Sequence, residues 1–244
     1  MTDVFHHYDA HLGPIYTWML GDLAAALAGA RADLNRVGIA ARAGALAVDL
    51  GAGPGVYAIP LAELGYTVLA IDACAGLLNE LTTHAGNLPI QPILDDLAQF
   101  RRHLTASPDV VLCMGDTLTH LPSHAVVEAL VADVAAALAP GGTFVATFRD
   151  YSGALLEGPA RFIPVRSDED RILTCFLEAE TATLRVHDLL HQRVEGQWRQ
   201  TVSAYRKLRI SPKSLQESLQ TAGLTTTVEP GPRGMILVVG QRVP

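Results

Sequence analysis

From about residue 45 onward, short apolar runs alternate with longer segments of helical period. Ala45-Leu46-Ala47-Val48-Asp49-Leu50 is such a run, closed by glycines in the way a buried parallel strand ends. Tyr66 to Asp72, Ile90 to Leu94, Asp109 to Met114 and Thr143 to Phe148 repeat it. Between them, Val56 to Leu64, Leu77 to Ala85 and Ser123 to Leu138 predict helices, and Leu97 to His103 a short helix or loop. Strands alternating with helices imply a parallel sheet covered on both faces, an α/β doubly wound fold.

Two stretches depart from that rhythm. The chain up to about Gly44 reads as helical, with the small-residue run Leu23-Ala24-Ala25-Ala26-Leu27-Ala28 in its middle. Residues 161–210 instead hold polar/apolar alternators: Ile172 to Glu180, Thr183 to Val194 and Trp198 to Ile210. The last two are joined by the turn-like Glu195-Gly196-Gln197. This predicts an antiparallel insert of three strands. Ser211-Pro212 then marks a helix start and Gly223 its end. Thr225 to Glu229 and Met235 to Gln241 form a closing hairpin across Pro230-Gly231-Pro232-Arg233-Gly234. The expected organisation is one domain over 1–244, with a helical lid at 1–44 and the insert at 161–210.

Composition narrows the partners. In 244 residues, 49% are hydrophobic, enough for a large core and too many for a disordered chain. Lys and Arg total 18 against 25 Asp and Glu, a formal charge of −7, which argues against nucleic acid as a partner. No apolar run approaches the ~20 residues that span a bilayer. The start lacks a basic and then apolar leader, so the expectation is a cytoplasmic protein with no membrane partner. Cys74, Cys113 and Cys175 make neither a disulfide framework nor a CxxC metal site, and are expected as buried free thiols.

Candidate chemistry concentrates at Asp49-Leu50-Gly51-Ala52-Gly53-Pro54-Gly55. Glycines there let the backbone approach a ligand, and the next helix offers free N–H groups. Asp72 ends the following strand, where a carboxylate can accept both hydrogen bonds of a ribose diol. A dinucleotide pattern would place glycine where Val56 stands, which disfavours an NAD-dependent oxidoreductase.

The G-x-G-x-G spacing behind Asp49 instead resembles motif I of the class I S-adenosylmethionine (SAM)-dependent methyltransferases, and the closing hairpin suits that family's seventh, antiparallel strand. The resemblance implies a Rossmann-like seven-stranded sheet with SAM as cofactor. Gly51, Gly53 and Gly55 would cradle its amino-acid part, Asp49 would lie near its ammonium, and Asp72 would hold the ribose. Asp96 would accept from the adenine amine, with the Leu97 amide alongside. Asp96 could equally be a helix N-cap.

Within that family the chain is most similar to glycine and sarcosine N-methyltransferases. Met114-Gly115-Asp116-Thr117 followed by His120-Leu121-Pro122 resembles their Leu-Gly-Asn-Ser and His-Leu-Pro. Phe148-Arg149-Asp150-Tyr151 is similar to their Arg-Asn-Tyr segment, and Tyr16 to Asp22 to their Tyr-rich, Gly-Asp-ending first helix. The likeness implies His120 and Thr117 beside the methionine moiety and Arg149 on a substrate carboxylate, with Tyr16 and Tyr151 at the substrate. Asp116 replaces the family's asparagine. A carboxylate there would repel a carboxylate substrate and favour a cationic or amine one. Arg149 could instead pair with Asp116 or Asp150, and His120 could cap the helix near Ser123.

The insert gathers arginines, which usually mark a solvated face. Arg161 and Arg166 are the candidates to reach an anionic acceptor. His187 and His191 share a strand face without a third metal ligand, and no metal is expected. The expected activity is methyl transfer to a small-molecule acceptor, on N or O. His120, or the cluster His6, His7, Tyr8 and His11, is available as proton acceptor. A non-catalytic SAM-binding sensor or scaffold is the alternative. The insert's antiparallel edge could also join copies into a homo-oligomer.

Overall fold

The computed structural model describes residues 3–153 and 157–244. Five parallel strands come first: β1 (Leu46–Leu50), β2 (Thr67–Asp72), β3 (Ile90–Leu94), β4 (Val110–Cys113) and β5 (Thr143–Phe148). They join a closing hairpin, β10 (Leu224–Pro230) and β11 (Ile236–Arg242), in the order β10-β11-β5-β4-β1-β2-β3. β11 runs antiparallel to β5, so the seventh strand enters against the direction of the rest, as expected.

Helices cover both faces. One apolar layer combines Val48, Leu50, Val111, Phe144 and Phe148 with α6 (His124–Ala137) and α7 (Pro212–Thr221). The other combines Ala47, Val68, Ala70 and Leu112 with α3 (Leu23–Arg36), α4 (Ala58–Glu63) and α5 (Ala75–Ala85). Side chains of successive residues of the inner strands enter opposite layers, which is why β1, β2, β4 and β5 read as near-continuous apolar runs, while edge strand β3 leaves Gln91 and Pro92 exposed. Side-chain caps set several helix starts: Asp22 accepts from Ala24 N–H, Ser123 from Val126 N–H and Ser211 from Ser214 N–H.

The insert has four strands, not three: β6 (Phe162–Ser167), β7 (Arg171–Ala179), β8 (Thr183–Val194) and β9 (Gln197–Leu208), paired antiparallel in that order. β6 escapes a period-2 reading because it is an edge strand exposed along its whole length. It also carries Pro164 and a register irregularity before Arg166. The first residues are not one helix either. α1 (Asp3–His7) runs into a π-helical turn at Tyr8–Leu12, a 3₁₀ turn at Gly13–Ile15 and α2 (Tyr16–Leu20). Gly21, at φ 94°, ends α2 before Asp22 starts α3. This segment lies on the inner face of the second sheet, with Leu12 and Ile15 against Leu173 and Leu190.

Among the described residues no helix is long and apolar enough to cross a membrane. Cys74 and Cys113 are buried free thiols. Cys175 is free but only half-buried.

Candidate functional site

Strand order reverses between β1 and β4, because β1 leads outward to β2 and β3 and the chain then returns to lay β4 on the other side of β1. The carboxyl ends of two such strands leave a crevice, the usual ligand position in an open α/β sheet. Both loops at that crevice carry positive-φ residues: Gly51, Gly53 and Gly55 after β1, Gly115 and Asp116 after β4.

A cleft of about 920 Å³ opens there. Gly51, Gly53 and Thr117 form its floor, Asp72 and Asp96 stand along it, and Leu77, Leu97 and Leu121 give apolar walls. A Cβ on Gly51 would fall 2.5 Å from Thr117 Cγ2, so glycine keeps the floor open. Asp72 accepts from Gly53 N–H at Oδ2 and Cys74 N–H at Oδ1, both at 2.8 Å. Burial pushes its carboxyl above the ordinary range, and those amides offset part of the rise. Each oxygen keeps lone-pair capacity for a ligand hydroxyl. A glycine cradle, a carboxylate held for a diol and an apolar slot together fit SAM.

Asp96 lines this cleft and also caps the following 3₁₀ turn by accepting from Ala98 N–H at 2.9 Å, so the two expectations for it are compatible. Asp95 turns away to Arg102 and His103. Asp49 and Gly55 line neither cavity. A Cβ on Gly55 would meet Leu81 and Ile59 in the core, so its role is packing. Asp49 is only 2% exposed and its Oδ2 has no partner. Burial, with Asp72 adding, pushes its carboxyl up to about 7.

A second cavity of about 1260 Å³ adjoins the first. Tyr8, Tyr16, Gly115 and His120 border both, so they stand where cofactor and acceptor would meet. Asp116, Arg149 and Tyr151 line the second cavity from the large sheet, while Asp188, Tyr205 and Lys207 line it from the small one.

Its charges are mostly matched. Asp116, 1% exposed, takes a short hydrogen bond from Lys207 Nζ and a 2.9 Å bond from Arg149 N–H. Burial works against its charge, yet Lys207 holds the carboxyl below its ordinary range. Burial likewise opposes the charge on Lys207, and Asp116 holds its pKa up. Asp116 is therefore already neutralised, and the expectation that it repels an acidic acceptor is corrected. The Arg149 guanidinium stays 3.7 Å from Asp116 and 43% exposed, only loosely paired.

Asp188 is the inward residue of an alternating strand, with His7 Nε2 at 3.0 Å and the Cys175 thiol donating at 2.8 Å. His7 also bonds Ser203 Oγ at 2.8 Å, so this residue is docked rather than frayed. Tyr205 stands between two imidazoles, with ring centroids 4.2 Å from His7 and 5.3 Å from His120. Tyr8 Oη lies 3.3 Å from His120 Nε2, and His120 Nδ1 is buried without a partner. Burial, reinforced by Lys207, pushes His120 down to about 3.

Arg161 lines neither cavity. Its guanidinium lies 4.9 Å over Phe176, whose chain neighbours Cys175 and Leu177 are the ones that face the cavity. Arg166 and Arg171 pack over Trp18, and Arg206 pairs with Glu180. His187 contacts Glu178, and no metal-like cluster occurs among the described residues. Sequence reasoning missed Lys207 and Tyr205 as lining residues. It also passed over Asp188, whose buried aspartate among Val186 and Leu190 was the available signal.

Residues 47–142 match a family described as "Methyltransferase domain". Mouse (Mus musculus) glycine N-methyltransferase is 26% identical over 187 residues, 67% of this chain and 62% of that protein. The chain thus spans less than two thirds of that relative's length. The amino pentose methyltransferase from Micromonospora echinaspora, solved with SAM bound, superposes with TM-score 0.74 at 18% identity, covering 96% of this chain and 97% of the other. A sugar N-methyltransferase from Streptoalloteichus sp. gives 0.73 at 18% identity, covering 95% and 92%. At those identities the likeness is one of fold.

Proposed function

We propose that this chain, a class I SAM-dependent methyltransferase by its fold and its matched domain, methylates the amine nitrogen of a small molecule. One observation carries nitrogen over oxygen: among the described residues no group lining the acceptor cavity is poised as a base near neutral pH. His120 is pushed down to about 3 by burial and Lys207. Asp116 and Asp188 lie below the ordinary carboxylate range despite burial, held there by Lys207 and His7. Burial raises the Tyr8 and Tyr205 phenols and the Cys175 thiol. An alcohol or phenol would need a base to become a nucleophile, whereas an amine above its pKa needs none. The relative named as a glycine N-methyltransferase and the neighbour named as a sugar N-methyltransferase support the same choice.

SAM supplies an electrophilic methyl group on a positively charged sulfur. Gly51, Gly53, Asp72, Asp96 and Leu97 are the residues that would hold it. The protein's remaining work is orientation and exclusion of water. Tyr8, Tyr16 and His120 border both cavities and would flank the reacting atoms. A neutral His120 that donates from Nε2 to Tyr8 Oη keeps the Nδ1 lone pair for an N–H of the acceptor, aiming the nitrogen's own lone pair toward the cofactor cleft.

The test begins with calorimetric titration of S-adenosylhomocysteine, expected in the micromolar range, about −8 kcal/mol, beside an NADH titration expected to be silent. An acceptor screen then pairs primary amines with the alcohols of the same skeletons. Turnover confined to the amines is the expected result. No S-adenosylhomocysteine binding would remove the methyltransferase reading. Equal turnover of the alcohols would remove the amine assignment, and binding without turnover across the screen would favour a sensor.

A further inference from the structure

α2 and β6 each leave apolar side chains uncovered, and both turn them into the acceptor cavity. In α2, Tyr16, Met19 and Leu20 line it at i, i+3 and i+4, the spacing of one helix face. No residue of that helix is fully buried. In β6, Ile163 and Val165 line the same cavity while remaining 37% and 38% exposed. Register explains the direction. Ile163 stands opposite Cys175, which faces the cavity, whereas Phe162 stands opposite Phe176, and Val165 falls in the irregularity before Arg166.

The slot between the two elements is held open at a fixed width. At the β6–β7 turn, Trp18 Nε1 donates to Asp168 at 2.5 Å, and the guanidiniums of Arg166 and Arg171 lie 5.7 and 4.9 Å over the Trp18 ring. Those contacts tie α2 to the small sheet without filling the space beside Met19 and Leu20. The slot is also continuous with the reacting end of the cavity. Across the small sheet, Ile163, Cys175 and Asp188 form one cross-strand row, so the lining passes from apolar to acidic over two inter-strand spacings, roughly 10 Å. Along α2, Tyr16 borders the cofactor cleft, and Met19 and Leu20 lie about one helical turn further on.

Resting on the small-amine reading of this site, we propose that the acceptor carries an apolar body, alkyl or aryl, which fills the slot between α2 and β6 while its nitrogen lies at His120. Met19, Leu20, Ile163 and Val165 are then the residues that set acceptor specificity. Half-exposed apolar side chains around a preformed space gain when apolar atoms displace water from them. A glycine-sized acceptor leaves the slot empty. A polyhydroxylated one sets hydroxyls against side chains that offer no hydrogen bond.

The test titrates n-alkylamines from ethylamine to octylamine, and glucosamine, into the full chain with and without S-adenosylhomocysteine. Affinity is expected to rise about two- to fourfold per added methylene, with glucosamine binding no more tightly than ethylamine. Ile163→Ser combined with Val165→Ser is expected to weaken octylamine by about tenfold or more and ethylamine little. Both positions are exposed, and S-adenosylhomocysteine affinity equal to the parent's shows that the double variant is folded. In turnover it should raise KM for octylamine and leave kcat as it is, because neither residue reaches the reacting atoms. Val202→Ser, opposite Leu189 on the outer face of the same sheet and 55% exposed, is expected to keep the parent's series. Affinity independent of chain length, glucosamine bound as tightly as octylamine, or a series kept by the double variant and lost in Val202→Ser overturns the proposal. Failure of the parent to bind S-adenosylhomocysteine removes the methyltransferase reading instead, and the alkylamine series without it still decides whether the slot takes an apolar body.

Discussion

The two cavities that meet at His120 are built on opposite plans. In the cofactor cleft, Asp72 is held by the amides of Gly53 and Cys74, close along the chain, and the floor is a turn of glycines. In the acceptor cavity, Asp116 is matched by Lys207, 91 residues on, and His7 reaches Ser203 across 196 residues. The first plan needs only strand, turn and helix. The second needs two sheets and an N-terminal segment docked together. A cleft set by backbone can stay constant while side chains on a separate sheet redefine the acceptor, which is how one fold serves different substrates.

Breaking the long-range plan has the largest expected effect. Lys207→Met leaves Asp116 buried and unmatched, and is expected to cost about 3–5 kcal/mol in denaturant unfolding. Adding Asp116→Asn to that variant should recover much of the loss. If Lys207→Met is as stable as the parent, the pair does not organise the cavity.

Asp49, beneath the local plan, gives an effect of opposite sign with pH. Its folded carboxyl lies near 7 and its unfolded value is 3.8, so the unfolded chain releases the proton first as pH rises. Its contribution is therefore full below pH 3.8 and is lost as pH rises through 7. Asp49→Asn should remove that decline, on the order of 4 kcal/mol, seen as a flatter curve of unfolding free energy against pH. Superimposable curves would contradict the assignment.

Smaller, and specific to the cleft, is Gly51→Ala. A Cβ at φ 77° and 2.5 Å from Thr117 should weaken S-adenosylhomocysteine by about tenfold, or 1.4 kcal/mol. Gly55→Ala, which meets Leu81 instead, should lower stability more than affinity. Equal affinity losses in both would erase the distinction between floor and core.

The least effect is expected in a pH profile. With His120 down at about 3, kcat/KM for an amine should rise with the acceptor's own ionisation, and His120→Asn should lower the rate without moving that limb. A limb that shifts with the substitution would make His120 a titrating base after all.

The parallel sheet was readable because its inner strands β1, β2, β4 and β5 are buried on both faces and each is bounded by its own turn chemistry. The glycine loop and Asp72 were readable because their geometry is local. β6 was not, since an exposed edge strand with a proline has no period to detect. Asp116, His120, Arg149 and Tyr16 could be picked as candidates from short segments, but their states could not. Nothing near Asp116 in the chain announces Lys207, and Arg161, picked to reach an anionic acceptor, lines neither cavity.

The sequence by itself determined the alternation of β1 to β5 with their helices, the glycine turn after β1 and Asp72 at the end of β2, because apolar burial and turn conformation act over a few residues. The tertiary structure alone decided which charges are matched, which imidazole burial keeps neutral and which arginines line the second cavity. Those properties depend on distance and desolvation between groups far apart in the chain.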